Sequence, residues 1–119
     1  MDMAKYRQLF LEEAAEHLAE MSRALLQLEK DPRRAEAIDV LFRMAHSIKG
    51  MAASLDHHEV AEAAHRFEDR MQEIRTAGAV VGSELPLLFR EFEGLEALVA
   101  RVREADSGAP GGEGGKKKS

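Results

Sequence analysis

A chain of 119 residues, 45% hydrophobic and 33% charged, is long enough for one compact core and too short for two ordinary domains. It has no cysteine, which excludes disulfides, thiolate metal sites and thiol nucleophiles and fits a reducing, cytoplasmic setting. Net charge is −5, and since the last thirteen residues contribute +2, the first 106 carry −7. An acidic body whose only basic clusters are Arg33-Arg34 and Lys116 to Lys118 has no stripe with which to neutralise nucleic-acid phosphates. No apolar run approaches the roughly 20 residues that span a bilayer, and the first ten residues lack the order of a signal peptide, so no membrane insertion is expected.

Helix formers dominate, tryptophan is missing and only three prolines occur, all near boundaries, which together predict an all-α chain. The first helix is predicted over 3–30, with Tyr6, Leu9, Phe10, Ala14, Leu18, Met21, Leu25 and Leu28 on one face. Asp31-Pro32 ends it, because proline disfavours helical geometry in the residue before it and lacks an N–H. A second helix over 34–54 places Ile38, Leu41, Phe42, Ala45, Ile48, Ala52 and Leu55 on its stripe. Asp56 is read as the cap of the third, with Glu59 completing the box, and Val60, Ala63, Ala64, Phe67, Met71 and Ile74 form the inner face up to Ala77-Gly78. Ser83 is read as the cap of the fourth, which buries Leu85, Leu88, Phe89, Phe92, Leu95, Leu98, Val99 and Val102 and stops near Ala105. Residues 106–119 turn to Gly, Pro, Ser and Lys and are expected to be a flexible linker or tail. Four amphipathic helices joined by short connections predict an antiparallel up-and-down four-helix bundle over residues 1–105.

His46 stands apart among the five histidines. It follows core position Ala45, about 100° round the helix, so it is expected at the water-facing edge of the bundle. A phosphoryl-accepting histidine needs a neutral ring nitrogen open to a partner, a nearby cation and free space. Lys49, at i+3, can reach an anion held at the ring. Gly50, at i+4, costs a helix interior roughly 1 kcal/mol against alanine, and the use proposed for it is clearance for a docking protein. His65 and Glu68, three apart beside core residue Phe67, are candidates to take a hydrogen bond from one ring nitrogen of His46 and leave the other as nucleophile. His17, His57 and His58 are read as surface or cap residues, and Met21, Met44, Met51 and Met71 as packing.

The run Ala45-His46-Ser47-Ile48-Lys49-Gly50 is preceded by Leu41-Phe42-Arg43 and followed, nineteen residues after His46, by His65-Arg66-Phe67-Glu68-Asp69. Together with the opening Tyr6 to Glu16, it resembles the N-terminal histidine phosphotransfer (HPt, or P1) domain of CheA-type bacterial chemotaxis histidine kinases, over roughly residues 1–105. The resemblance implies His46 as phosphorylation site, Lys49 and Gly50 as its supporting pair, and His65 with Glu68 as the network that tunes it. Met51 stands where that family often has a small residue such as glycine. By the same resemblance a histidine-kinase catalytic domain, elsewhere in a longer polypeptide, phosphorylates the histidine from ATP and Mg²⁺, and a response-regulator receiver aspartate then takes the group.

The domain itself is expected to bind no cofactor, to be a monomer and to be a carrier rather than an enzyme. Its Gly-rich stretch at 111–115 follows no strand and opens no helix, so it is no phosphate loop. Two other readings remain open beside the kinase segment: a free-standing phosphorelay intermediate and a purely structural interaction module. A metal-binding bundle is a third, since Glu62 and His65 have Glu-x-x-His spacing, though Glu13, Glu16 and His17 supply no second copy.

Overall fold

The computed structural model describes residues 2–107, which form four helices, the turns that join them and the N-cap residue Asp2. Helix α1 spans Met3–Lys30, α2 Ala35–Ser54, α3 His58–Ala77 and α4 Glu84–Ser107. Each helix packs on its neighbours in sequence, α4 closes back onto α1, and diagonal helices do not meet, which is the expected up-and-down bundle. α4 runs two residues beyond Ala105, and the rest of the expected tail, 108–119, lies outside the described residues. None of the described helices is long and apolar enough to cross a membrane.

Local chemistry sets the helix ends. Asp2 accepts a hydrogen bond from the Lys5 N–H, and the Asp31 carboxylate accepts from the Arg33 N–H across the turn ahead of α2. α3 ends on Gly78 at φ 88°, a left-handed cap that glycine takes without strain. The Val80 N–H donates to the Pro32 carbonyl at 2.9 Å, tying the first and third connections together at one end of the bundle. At the start of α4, the Glu84 carboxylate reaches back to accept from the Val81 N–H at 3.4 Å.

Two boundary expectations change. Asp56 does not cap α3: His57 holds the N-cap position, without a side-chain hydrogen bond. Asp56 instead closes α2 at φ 61°, while the His57 N–H turns back to the Ala52 carbonyl at 2.8 Å, the hydrogen bond of a left-handed helix stop. A non-glycine residue is strained there, and its ion pair with His58 spans 3.9 Å between exposed side chains. Asp56→Gly is therefore expected to stabilise the fold by roughly 0.5–1 kcal/mol, read as a higher midpoint in thermal or urea unfolding; an unchanged or lower midpoint refutes the strain.

The second change concerns α1. Tyr6 and Leu9, placed on the core stripe by periodicity, are 46% and 49% exposed. Phe10 packs its ring against His57 of the α2–α3 turn, whereas Tyr6 and Leu9 line an open groove with Met51, Ser54 and Leu55 at the end of α2. His57 is consequently half-buried, and burial, followed by the charge of Arg7, lowers its pKa against the opposing pull of Asp56. The core proper holds Met21, Leu25, Leu28, Ile38, Leu41, Ile48, Phe67, Met71, Ile74, Leu88 and Leu95, all fully buried.

Candidate functional site

The His46 side chain projects from the middle of α2 and is 61% exposed, as its offset from Ala45 predicts. Its Nδ1 lies 2.7 Å from Oε2 of Glu68 on α3. Glu68 and Asp69 are adjacent carboxylates on that helix, but the Glu68 side chain is only 10% exposed and that of Asp69 71%. The reason is periodicity, since Glu68 is four residues after buried Ala64 and three before buried Met71. It stands on the inward stripe of α3, facing α2.

The second oxygen of Glu68 is held by Lys49. Nζ lies 2.7 Å from Oε1, which is shut off from solvent and meets no well-aligned hydrogen-bond donor, so the ammonium charge is what compensates it. Burial pushes the Glu68 pKa up, but the adjoining Lys49 ammonium and the hydrogen bond to His46 outweigh it, and the value falls below that of an ordinary glutamate. An ionised carboxylate can only accept, so Nδ1 of neutral His46 must carry the proton, which leaves the lone pair on Nε2. A histidine with one nitrogen anchored and the other free is a poised nucleophile.

The other expected residues fall differently. Gly50 is exposed, and a Cβ built on it would meet nothing within 4 Å, so open space surrounds it. His65 turns to Asp69, with Nε2 3.6 Å from Oδ1, and among the described residues it makes no hydrogen bond to His46 or Glu68. Residues 65 and 69 are one helical turn apart, and that face of α3 is rotated away from the one that carries Glu68. Lys49 is engaged with Glu68 rather than standing free for an anion. Glu62 is exposed like His65, and among the described residues no group of three or more His, Cys, Asp or Glu converges on a point.

Sequence reasoning passed over a second cross-helix pair. Arg75 Nη1 lies 3.3 Å from Asp39 Oδ1, while Asp39 Oδ2 takes the Arg43 Nε–H at 2.8 Å. Asp39 precedes His46 by seven residues and Arg75 follows Glu68 by seven, so one antiparallel register of α2 and α3 makes both contacts. That equal spacing was the signal available in the chain.

An antiparallel four-helix bundle that holds one exposed histidine by a buried carboxylate on the next helix is the design of a phosphotransfer domain. The chain belongs to the Hpt domain family, which it matches over residues 5–105. Among its relatives, the chemotaxis protein CheA of Listeria monocytogenes is 37% identical over 102 residues, 85% of this chain. That of Bacillus subtilis is 35% identical over 109 residues, 91% of this chain. The chain spans only 16% of the length of either protein. The CheA phosphotransferase domain from Thermotoga maritima superposes with a TM-score of 0.76 at 28% identity, covering 87% of this chain and 97% of that one.

Proposed function

We propose that this domain is a phosphoryl carrier in cytoplasmic chemotaxis signalling and that Nε2 of His46 is the atom that carries the group. The observation that supports this most directly is the 2.7 Å contact of Nδ1 with a buried, ionised Glu68, on a ring that is otherwise open to solvent. Nε2 attacks the γ-phosphorus of ATP held by a histidine-kinase catalytic domain; the N–P bond forms as the bond to the ADP oxygen breaks, and ADP leaves with that electron pair. The proton stays on Nδ1, so the ring gains positive charge as the N–P bond forms. Glu68, fixed beside Nδ1 before the reaction, stabilises that charge without reorganising. In the second step a receiver-domain aspartate attacks phosphorus and the N–P electron pair returns to Nε2. Mg²⁺ and nucleotide come with the partner domains.

Lys49 serves the site indirectly in this reading: it keeps Glu68 charged and in place. Gly50 leaves the approach to the ring clear. His65 pairs with Asp69 and does not orient the ring.

The test is to incubate the protein with a chemotaxis-type kinase core and γ-labelled ATP, then map the acid-labile phosphate by peptide mass spectrometry. Label on His46 supports the reading, and label elsewhere or none refutes it. Glu68→Ala is expected to slow labelling roughly tenfold, because orientation is lost while the acceptor remains. The same variant has a pH signature. Glu68 titrates lower in the folded than in the unfolded chain, so its contribution to stability is full above the ordinary glutamate value of 4.5 and is lost as pH falls through the lower folded value. Glu68→Ala should flatten that acid limb; an unchanged acid limb and unchanged kinetics would remove Glu68 from the site.

A further inference from the structure

We propose that Arg75 is a positioning residue for His46, acting through the ring of Phe42. The inference rests on His46 being the phosphoryl acceptor, and it concerns how the plane of that imidazole is held. A single hydrogen bond at Nδ1 restrains rotation of the ring about its Cβ–Cγ bond from one edge only. In-line attack needs more than that, because the Nε2 lone pair lies in the ring plane and must point at phosphorus.

Phe42, one turn before His46 on α2, supplies a second surface. The two rings are nearly parallel, 15° apart, with centroids separated by 6.4 Å. Phe42 is itself only partly buried, packed at the margin of the core, so its own rotamer needs a support. Arg75 provides it from α3: the guanidinium carbon lies 4.2 Å from the Phe42 ring centroid, within cation–π range. Arg75 is in turn fixed by Asp39, whose second oxygen is occupied by Arg43. Residues Asp39 and Phe42 are three apart on α2, so the guanidinium meets a carboxylate and an aromatic face side by side. Arg75 thus reaches His46 only through Phe42, and α3 steers the imidazole at two points two turns apart, Glu68 directly and Arg75 at one remove.

The experiment compares wild type with Arg75→Met, which keeps the aliphatic length without the charge, and Arg75→Lys, which keeps a cation over Phe42. Arg75 is a partly exposed side chain outside the core, and Phe42→Leu attacks the same device from α2 should Arg75→Met fold poorly. Two readouts are taken: the ring ¹⁵N and ¹³C resonances of His46 with its Phe42 ring contacts by NMR, and the kinetics of labelling by the kinase core. Arg75→Met is expected to lower kcat roughly 3- to 10-fold with KM within about twofold, to weaken the Phe42–His46 ring contacts, and to be largely rescued by lysine. Unchanged His46 resonances and kcat overturn the proposal. So does a rise in KM alone, which would make Arg75 a docking contact, or a loss that lysine does not rescue. If wild type takes no label on His46, the carrier reading fails, and the NMR comparison still shows whether Arg75 orders the ring.

Discussion

His46→Gln is expected to eliminate phosphoryl labelling by a kinase core while moving the melting temperature by less than about 2 °C. The imidazole is mostly exposed, so its removal opens no cavity in the core. The contact it gives up is the hydrogen bond to Glu68, and a glutamine amide N–H can take over as donor to the same carboxylate. What glutamine cannot supply is a ring nitrogen lone pair. Stability and transfer therefore separate in this variant, with circular dichroism and thermal unfolding reporting the first and labelled ATP the second. Retained acid-labile phosphate on His46→Gln would place the acceptor on another of the histidines.

Gly50→Gln is expected to move stability and transfer in opposite directions. Nothing in the protein lies within 4 Å of a Cβ at this position, and Gly50 has ordinary helical geometry, so a side chain is free to project into solvent. Replacing a mid-helix glycine lowers the entropy of the unfolded chain and should stabilise α2 by roughly 0.5–1 kcal/mol. The hydrogen bond from Ser54 Oγ to the Gly50 carbonyl involves backbone and is unaffected. Transfer should fall by about tenfold or more, because the new side chain stands one turn from His46 where a partner must close on the ring. Gly50→Ala should give the same gain in stability with a smaller loss of transfer. If Gly50→Gln transfers as wild type does, the glycine has no role in access. Within the protein no neighbour crowds the position, so the transfer measurement alone decides that role.

Much of this molecule is legible before folding is considered. The stripe of α1 from Phe10 to Leu28, the proline after Asp31 and the glycine at position 78 locate helices because periodicity and backbone sterics act locally. His46 is recognisable for a similar reason: one step from Ala45 carries it off the buried face. Local rules misplaced Asp56, since a residue able to cap the next helix can equally end the previous one, and the backbone turn at φ 61° settled which. They also put Tyr6 and Leu9 in the core, because periodicity says which face of a helix is apolar and not how closely a neighbour covers it.

Helix composition and hydrophobic spacing were enough to specify four helices and their antiparallel order, and to place His46 off the buried face. Which group would orient that histidine was settled only by packing. His65 and Glu68 were equal candidates on paper, and the register of α2 against α3 chose Glu68, 22 residues from His46, and brought Arg75 to Phe42 and Asp39. Such contacts depend on the rotation and offset of one helix against another, and those are set by the interlocking of the whole core, with Leu41, Ile48, Phe67 and Met71 fully buried within it.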